Sequence, residues 1–374
     1  MIKKLGTAIS EYSVRNKLDE EIPVYSVTNE QGFCTGYFSK DVASKDRTTY
    51  KIVPYGYFAY NPSRINVGSV DWQHSEERVI VSPLYVVFGV DESVDKRYLL
   101  HYLKSDIARM LIKNYASGSV RDNLKLSTLM EFPFNFRSLE EQKEIANVLD
   151  KIDYLIGVQK QRMDYFDRLV KSRFIELFGD PKDNPKGYSK KQLKETCRVI
   201  TGNTPSRAVS EYYGDHIEWI KTDNIVSGLL NPTTATESLS EKGMAVSRTV
   251  ESGAILMACI AGSIASIGRV CVTDRKVAFN QQINAIVPSD YNILFLYVML
   301  QISKEYLVDE INMALKGILS KSKLEEKTFY VPPMELQEQF AAFVTQVDKS
   351  KLAVQQGLQE LETLKKSLMQ QYFG

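Results

Sequence analysis

The sequence predicts an α+β protein built twice. Two mixed, strand-rich globular domains are joined by two long helices that pair as a coiled coil, giving an internal repeat with a pseudo-twofold character. Three observations predict this. A helical segment near the middle, Ser138-Leu-Glu-Glu-Gln-Lys-Glu-Ile-Ala-Asn-Val-Leu-Asp-Lys-Ile-Asp153, returns as Pro333-Met-Glu-Leu-Gln-Glu-Gln-Phe-Ala-Ala-Phe-Val-Thr-Gln-Val-Asp348 at the chain end. The segments before these helices are rich in short β-branched and aromatic runs bounded by turn residues. The chain has 374 residues, more than one ordinary core needs.

The repeat comes first, because a missed repeat misassigns the whole fold. At a constant offset and without a gap, Glu140 meets Glu335, Gln142 meets Gln337, Ala146 meets Ala341 and Asp153 meets Asp348. The same offset brings Leu169 to Leu364, Ser172 to Ser367 and Phe178-Gly179 to Phe373-Gly374. Upstream the echo is looser. Pro54-Tyr-Gly-Tyr-Phe-Ala-Tyr60 and Glu251-Ser-Gly-Ala-Ile-Leu-Met257 both place a Gly before an apolar strand, and Val67-Gly-Ser-Val70 and Ile267-Gly-Arg-Val270 follow in the same order. Each half then has an apolar helical run, Tyr98 to Tyr115 and Asn292 to Leu315.

Both repeated segments carry apolar residues at 3–4 spacing over several heptads. The first stripe is Ile145, Leu149, Ile152, Ile156, Met163, Phe166, Val170 and Leu177; the second is Phe340, Val344, Val347, Val354, Leu358, Leu361, Leu368 and Tyr372. Each helix is expected to run about 60 Å. Gln159 and Arg173 interrupt the first seam, Lys351 and Lys365 the second. One stripe covering the other within the chain is the preferred reading, with homodimerisation as the alternative. Between the halves, Gly179-Asp-Pro-Lys-Asp-Asn-Pro-Lys-Gly-Tyr188 breaks the first helix. The expected division is residues 1–137, helix 138–179, linker and second domain 180–332, and helix 333–374.

Strands are expected at Pro23–Thr28, Tyr50–Val53, Val79–Ser82, Leu84–Val90, Val277–Phe279 and Ile283–Val287, with turns at Asn29–Gly32, Gly202–Pro205 and Ser227-Gly228. Composition is that of an ordinary globular chain, 44% hydrophobic and 25% charged. Lys and Arg number 47 against 46 Asp and Glu, a net charge of +1 that argues mildly against DNA binding without excluding it. The four cysteines form no Cys-x-x-Cys pair and the three histidines no metal-binding array, so neither a zinc site nor a disulfide framework is expected. No signal peptide follows Met1. The apolar stretch Gly253–Gly268 is short and rich in small residues, so a buried strand and turn is expected there rather than a membrane span. The expected compartment is the cytoplasm.

The segment Ser138 to Pro181, with its Gln, long helix and closing Phe178-Gly-Asp-Pro181, resembles the central region of type I restriction-modification specificity subunits. Pro332-Pro333 and Gln337 match the entry in the second copy, whereas Arg137-Ser138 replace the proline pair in the first. Thr201-Gly-Asn-Thr-Pro-Ser206, Tyr212-Tyr-Gly-Asp215, Trp219-Ile-Lys-Thr-Asp-Asn-Ile225 and Phe279-Asn-Gln-Gln-Ile283 stand in the order of that family's target recognition domains. Ser13-Val-Arg-Asn16, Tyr25–Phe33 and Tyr60-Asn-Pro-Ser-Arg64 are similar to another subclass of them. The resemblance implies two target recognition domains and two spacer helices in a non-catalytic subunit. It also implies partners: double-stranded DNA, two methyltransferase subunits that modify adenine N6, and two motor-nuclease subunits that can be added for restriction. The implied cofactors, S-adenosylmethionine, ATP and magnesium, belong to those partners and none to this chain. No membrane partner is expected.

The residues agree with a non-catalytic role. The adenine-methyltransferase loop Asn/Asp-Pro-Pro-aromatic has only a partial match, Asn61-Pro-Ser-Arg64, and no Gly-x4-Gly-Lys-Ser/Thr loop is present. Base reading calls for amide and cationic side chains at loop tips, and phosphate contacts set register without reading sequence. The candidates are Arg15, Asn16, Asn29, Gln31, Asn61 and Arg64 in the first domain, and Asn203, Arg207, Lys221, Asn224 and Gln282 in the second. Each competes with a bland reading, since a loop Asn is commonly a turn former. Arg64 and Asn224 stand in the most recognisable segments, while Tyr60 and Trp219 beside them read as core. Dissimilar halves predict an asymmetric, bipartite target. The alternatives are a specificity module of another methylation-based defence system, or a helical scaffold or adaptor without DNA binding.

Overall fold

The computed structural model describes residues 1–36, 47–116, 123–309, 311 and 317–374. The chain divides into two compact units, one of residues 1–158 with 358–374, the other of residues 159–357.

In the first unit, a four-stranded antiparallel sheet has the spatial order Ile9–Glu11, Val86–Val90, Phe58–Tyr60, Val70–Trp72. Two ladders flank it, Ser26–Thr28 with Gly32–Cys34 and Lys51–Pro54 with Arg78–Val81. The expected helical run from Tyr98 to Tyr115 is two helices, Lys96–Lys104 and Asp106–Ala116. Ser105 breaks it in an extended conformation (ψ 157°), and its hydroxyl accepts from the Ala108 amide of the next turn. Helix Leu126–Met130 follows, then strand Pro133–Asn135 returns to pair with Ile2–Lys4.

The second unit repeats this order. Its four-stranded antiparallel sheet runs Cys197–Thr201, Ile283–Pro288, Ile255–Ala258, Val270–Val272. The helical run expected from Asn292 begins as Ile293–Ile302 and Lys304–Val308; most of its last residues, up to Leu315, lie outside the described residues. Helix Lys321–Glu326 and strand Thr328–Tyr330 follow, the strand pairing with Lys190–Gln192. The apolar stretch from Gly253 supplies Ile255–Ala258, all four residues buried. This unit also has a five-stranded sheet, Tyr213–Gly214, Ser238–Leu239, Ile217–Ile220, Val277–Phe279, Thr249–Val250; the first unit holds a smaller version of it, the antiparallel ladder of Lys51–Pro54 with Arg78–Val81 and the parallel bridge Val24 to Ile80.

The echoing glycines have the same cause in both copies. Gly56 and Gly253 sit at φ +85° and +88° just before the third strand in each spatial order, and Gly68 and Gly268 at +93° and +77° just before the fourth. These turns need a left-handed backbone, which glycine adopts without strain.

The long helices span Leu139–Phe178 and Met334–Phe373, 40 residues each. Within each unit they run antiparallel. In the first unit Lys365 donates to Asp153 at 2.5 Å and the ring of Phe373 packs on Tyr98. In the second, Lys351 donates to Asp167 at 2.6 Å and Phe174 meets Phe340 edge-on. Intramolecular pairing is therefore the arrangement, and the two seam lysines are matched by carboxylates. Leu149 and Phe340 of the predicted stripes are fully buried, and further anchors lie outside those stripes. Phe174, Phe178 and Phe373 are buried in the domain cores, while Leu177 and Tyr372 are only half-buried.

A repeated glutamine joins helix to domain. Gln142, fully buried, accepts from the Asp95 amide (2.9 Å) and donates to the carbonyls of Ser93 and Arg137. Gln337, also fully buried, accepts from the Asn292 amide (2.9 Å) and donates to the Pro332 carbonyl. Asp95 and Asn292 are the N-caps of the corresponding helices Lys96–Lys104 and Ile293–Ile302. The shared Gln thus ties each long helix to the same point of its own domain.

Candidate nucleic-acid interface

In the first unit a cavity of about 300 Å³ opens between the hairpin Ser26–Cys34 and the turn after Tyr60. Asn29, Asn61 and Arg64 line it together, with Ser26, Thr28 and Ser63. The Arg64 side chain is exposed and makes no ion pair among the described residues. Asn61 has its oxygen committed, since Oδ1 accepts from the Ser63 amide and hydroxyl in a two-residue turn. Gln31 lies at the hairpin tip, exposed, its amide held by the Thr28 hydroxyl. Arg15 is exposed on a backbone bridge to Lys51. Behind the cavity, the Lys51 ammonium donates to the carbonyl of Tyr85, a lining residue; burial lowers its pKa, with Glu11 opposing and Arg15 adding a smaller push.

Asn16 lies inside a turn. It is 2% exposed, and its amide donates to the Glu20 carbonyl while its oxygen accepts the Glu20 amide.

In the second unit the candidates split the same way. Asn224 is buried. Its oxygen accepts the Lys221 amide, and its nitrogen donates to the Thr233 hydroxyl and the Thr234 carbonyl. Both amide protons are bonded within the loop. Asn203 bridges to the Val246 carbonyl and the Arg248 amide, and Gln282 bonds Asn280 through both backbone and side chain. Arg207 and Lys221 remain open to solvent at one place. Arg207 lies 4.4 Å from the Tyr213 ring centre and 5.3 Å from that of Trp219, and Lys221 lies 5.2 Å from Trp219. Both cations reach the carboxylate of Glu237, whose pKa is held down by Arg207 first and Lys221 second. Glu237 had no signal in the sequence, being distant along the chain from both cations and of the wrong charge for a DNA contact. Trp219 is buried, as read, and supplies the floor of this cluster. Tyr60 is likewise core.

The remaining reactive groups are quiet. Cys197, Cys259 and Cys271 are buried thiols pushed up to about 12 by burial. Among the described residues no three His, Cys, Asp or Glu side chains gather as a metal site, and no helix is long and apolar enough to cross a membrane.

A family model, the type I restriction modification DNA specificity domain, matches this chain twice, over residues 3–164 and 185–363. The chain belongs to that family. Each match takes in one sheet domain and much of the long helix behind it, so the specificity domain corresponds to the repeat. Among curated relatives, the type I restriction enzyme MjaIX specificity subunit of Methanocaldococcus jannaschii is 24% identical over 304 residues, 74% of this chain and 68% of the relative. The HindI specificity subunit of Haemophilus influenzae is 32% identical over 120 residues, 31% of this chain and 25% of the relative. In fold, the specificity-domain pair is similar to a type I restriction-modification S subunit from M. genitalium (TM-score 0.58, 15% identity, 99% of this chain and 94% of the other). It is also similar to a chain from a study of type I restriction-modification complex assembly (TM-score 0.57, 17% identity, 100% and 97%).

Proposed function

We propose that this chain is the DNA-reading subunit of a type I restriction-modification complex and that it reads an asymmetric, bipartite target. One observation carries the proposal: a single sheet frame is built twice with the same strand order, but with unlike side chains at its loops. The first copy offers a cleft with Asn29, Asn61 and Arg64, and the second an aromatic-backed cation cluster at Arg207 and Lys221. Amides suit adenine edges and arginine suits guanine, so the Asn29, Asn61 and Arg64 cleft is suited to base reading, and copies lined so differently are expected to meet unlike half-sites. The chain supplies address and no chemistry. Two methyltransferase subunits bring S-adenosylmethionine and modify adenine N6, and two motor-nuclease subunits add ATP- and magnesium-dependent cleavage. Each long helix, pinned to its own domain by Gln142 or Gln337, gives those partners a surface fixed to the reading domain.

Co-expression with the methyltransferase partner, followed by methylation sequencing of the host DNA, tests the reading. It predicts adenine methylation confined to one split, non-palindromic motif that disappears without this chain. Methylation that is the same with and without the chain overturns it and leaves a scaffold or adaptor.

A further inference from the structure

In the second unit, three separate stretches converge on one oxygen. Arg207 Nη2 and Lys221 Nζ each lie 2.8 Å from Glu237 Oε2. We infer that Arg207 and Lys221 form a DNA-phosphate site, and that Glu237 fills it as an internal counter-anion until DNA arrives. The inference rests on the DNA-reading function proposed above and adds which contacts grip the backbone rather than read bases.

Four features carry it. Two cationic donors sharing one oxygen is the arrangement a phosphate oxygen takes between Arg and Lys. The site is reachable, with side-chain exposures of 56% for Arg207, 36% for Glu237 and 28% for Lys221. The cations do not need the carboxylate to hold their place, because Arg207 rests on Tyr213 and Trp219, and Lys221 on Trp219. The loop bearing Glu237 does not need it either. Its backbone carbonyl already accepts from Trp219, Ala235 is held by Glu218, and Thr233 and Thr234 are held by Asn224. A carboxylate that neither the fold nor the cations require is free to yield to a phosphate.

Phosphate is favoured over a base edge on geometry. A guanine is read by two parallel donors of one free guanidinium fork, whereas here Arg and Lys point at a common spot. The counter-anion also has a use. It reduces the sequence-independent grip that two uncompensated cations exert on any DNA, so the reading loops set more of the total affinity.

The test uses the full chain co-purified with its methyltransferase partner, and two duplexes of equal length, one with the methylated motif and one scrambled. Affinity is titrated against salt. R207A and K221A are each expected to weaken binding about tenfold on both duplexes alike and to flatten the log–log salt slope by about one. E237Q is expected to tighten binding on both and to steepen the slope, with only a small drop in the unfolding midpoint, because its ion pairs are largely exposed. Loss confined to the cognate duplex makes Arg207 or Lys221 a base contact and overturns the inference. Unchanged slopes in R207A and K221A make the cluster a structural ion pair and overturn it too. Weaker binding by E237Q shows that Glu237 supports the cations rather than competing for them, again overturning it. A wild-type complex that binds neither duplex sinks the DNA-reading function itself, a result distinct from all three.

Discussion

Gln142 and Gln337 are the residues on which each half depends most. Replacing either with Ala leaves the half-buried Asp95 or Asn292 amide without an acceptor, at a cost of about 1–3 kcal/mol. Thermal unfolding should show a clear drop in midpoint for both variants, and an unchanged midpoint would contradict the docking role. Arg64 acts differently, because it is exposed and unpaired among the described residues. Arg64→Ala should leave the unfolding midpoint in place and cost about 1–3 kcal/mol of DNA affinity, relaxing one half of the methylated motif. A motif unchanged in both halves would remove Arg64 from the reading set. At this scale the sequence was partly legible. The repeat singled out the glutamine, but no spacing rule tells a base-reading Asn from a turn-closing one. Asn16 closes a turn because Glu20, four residues on, meets both ends of its amide, whereas Asn224 ties Lys221 to Thr233 and Thr234, nine and ten residues on.

The long helices are held by a few polar pairs as well as by their apolar stripes. In the first unit Asp150 of the long helix receives Arg97 at 3.0 Å and contacts the His101 ring at 2.7 Å, fastening helix Lys96–Lys104 to it. Burial raises the Asp150 pKa, but His101 and Arg97 outweigh it, so the carboxyl sits below its ordinary value. Such a group stabilises the fold above the unfolded carboxylate value of about 4 and loses that effect as pH falls through the lower folded value. Asp150→Asn should therefore destabilise at neutral pH by about 1 kcal/mol, a figure discounted because the group is 41% exposed. The difference from wild type should vanish in acid; a pH-independent difference would contradict the charge argument. For Asp167 and Lys351 a double-mutant cycle on unfolding should give a coupling of about 0.5–1 kcal/mol, fading in high salt. The helices themselves were readable from 3–4 spacing. Leu149 and Phe340 were readable as anchors, but Phe174, Phe178 and Phe373 were not, because they face domain cores that periodicity does not see. The break at Ser105 was also missed, because its apolar neighbours continue the helical pattern across it.

Over the whole molecule, the repeat is more complete in structure than in sequence. Strand order, helix order and the left-handed glycine turns recur in both units, while ahead of the long helices the sequence kept few markers, Gly56, Gly68 and their partners among them. Sheet positions tolerate many apolar residues so long as burial is kept, so resemblance in the cores decays faster than topology. The second unit's five-stranded sheet was the least legible, because its pairs join distant short strands, one pair parallel. The near-zero net charge, at odds with a DNA-binding chain at first sight, agrees with a carboxylate set between Arg207 and Lys221. It also agrees with partner subunits supplying much of the grip.

The central claim is that one frame, built twice, carries two independent readers. Exchanging residues 188–332 for the corresponding domain of a different specificity subunit, in the co-expressed complex, tests it most directly by methylation sequencing. The account predicts a new motif in which one half is changed and the other half is retained. A motif changed in both halves, or in neither, would contradict it.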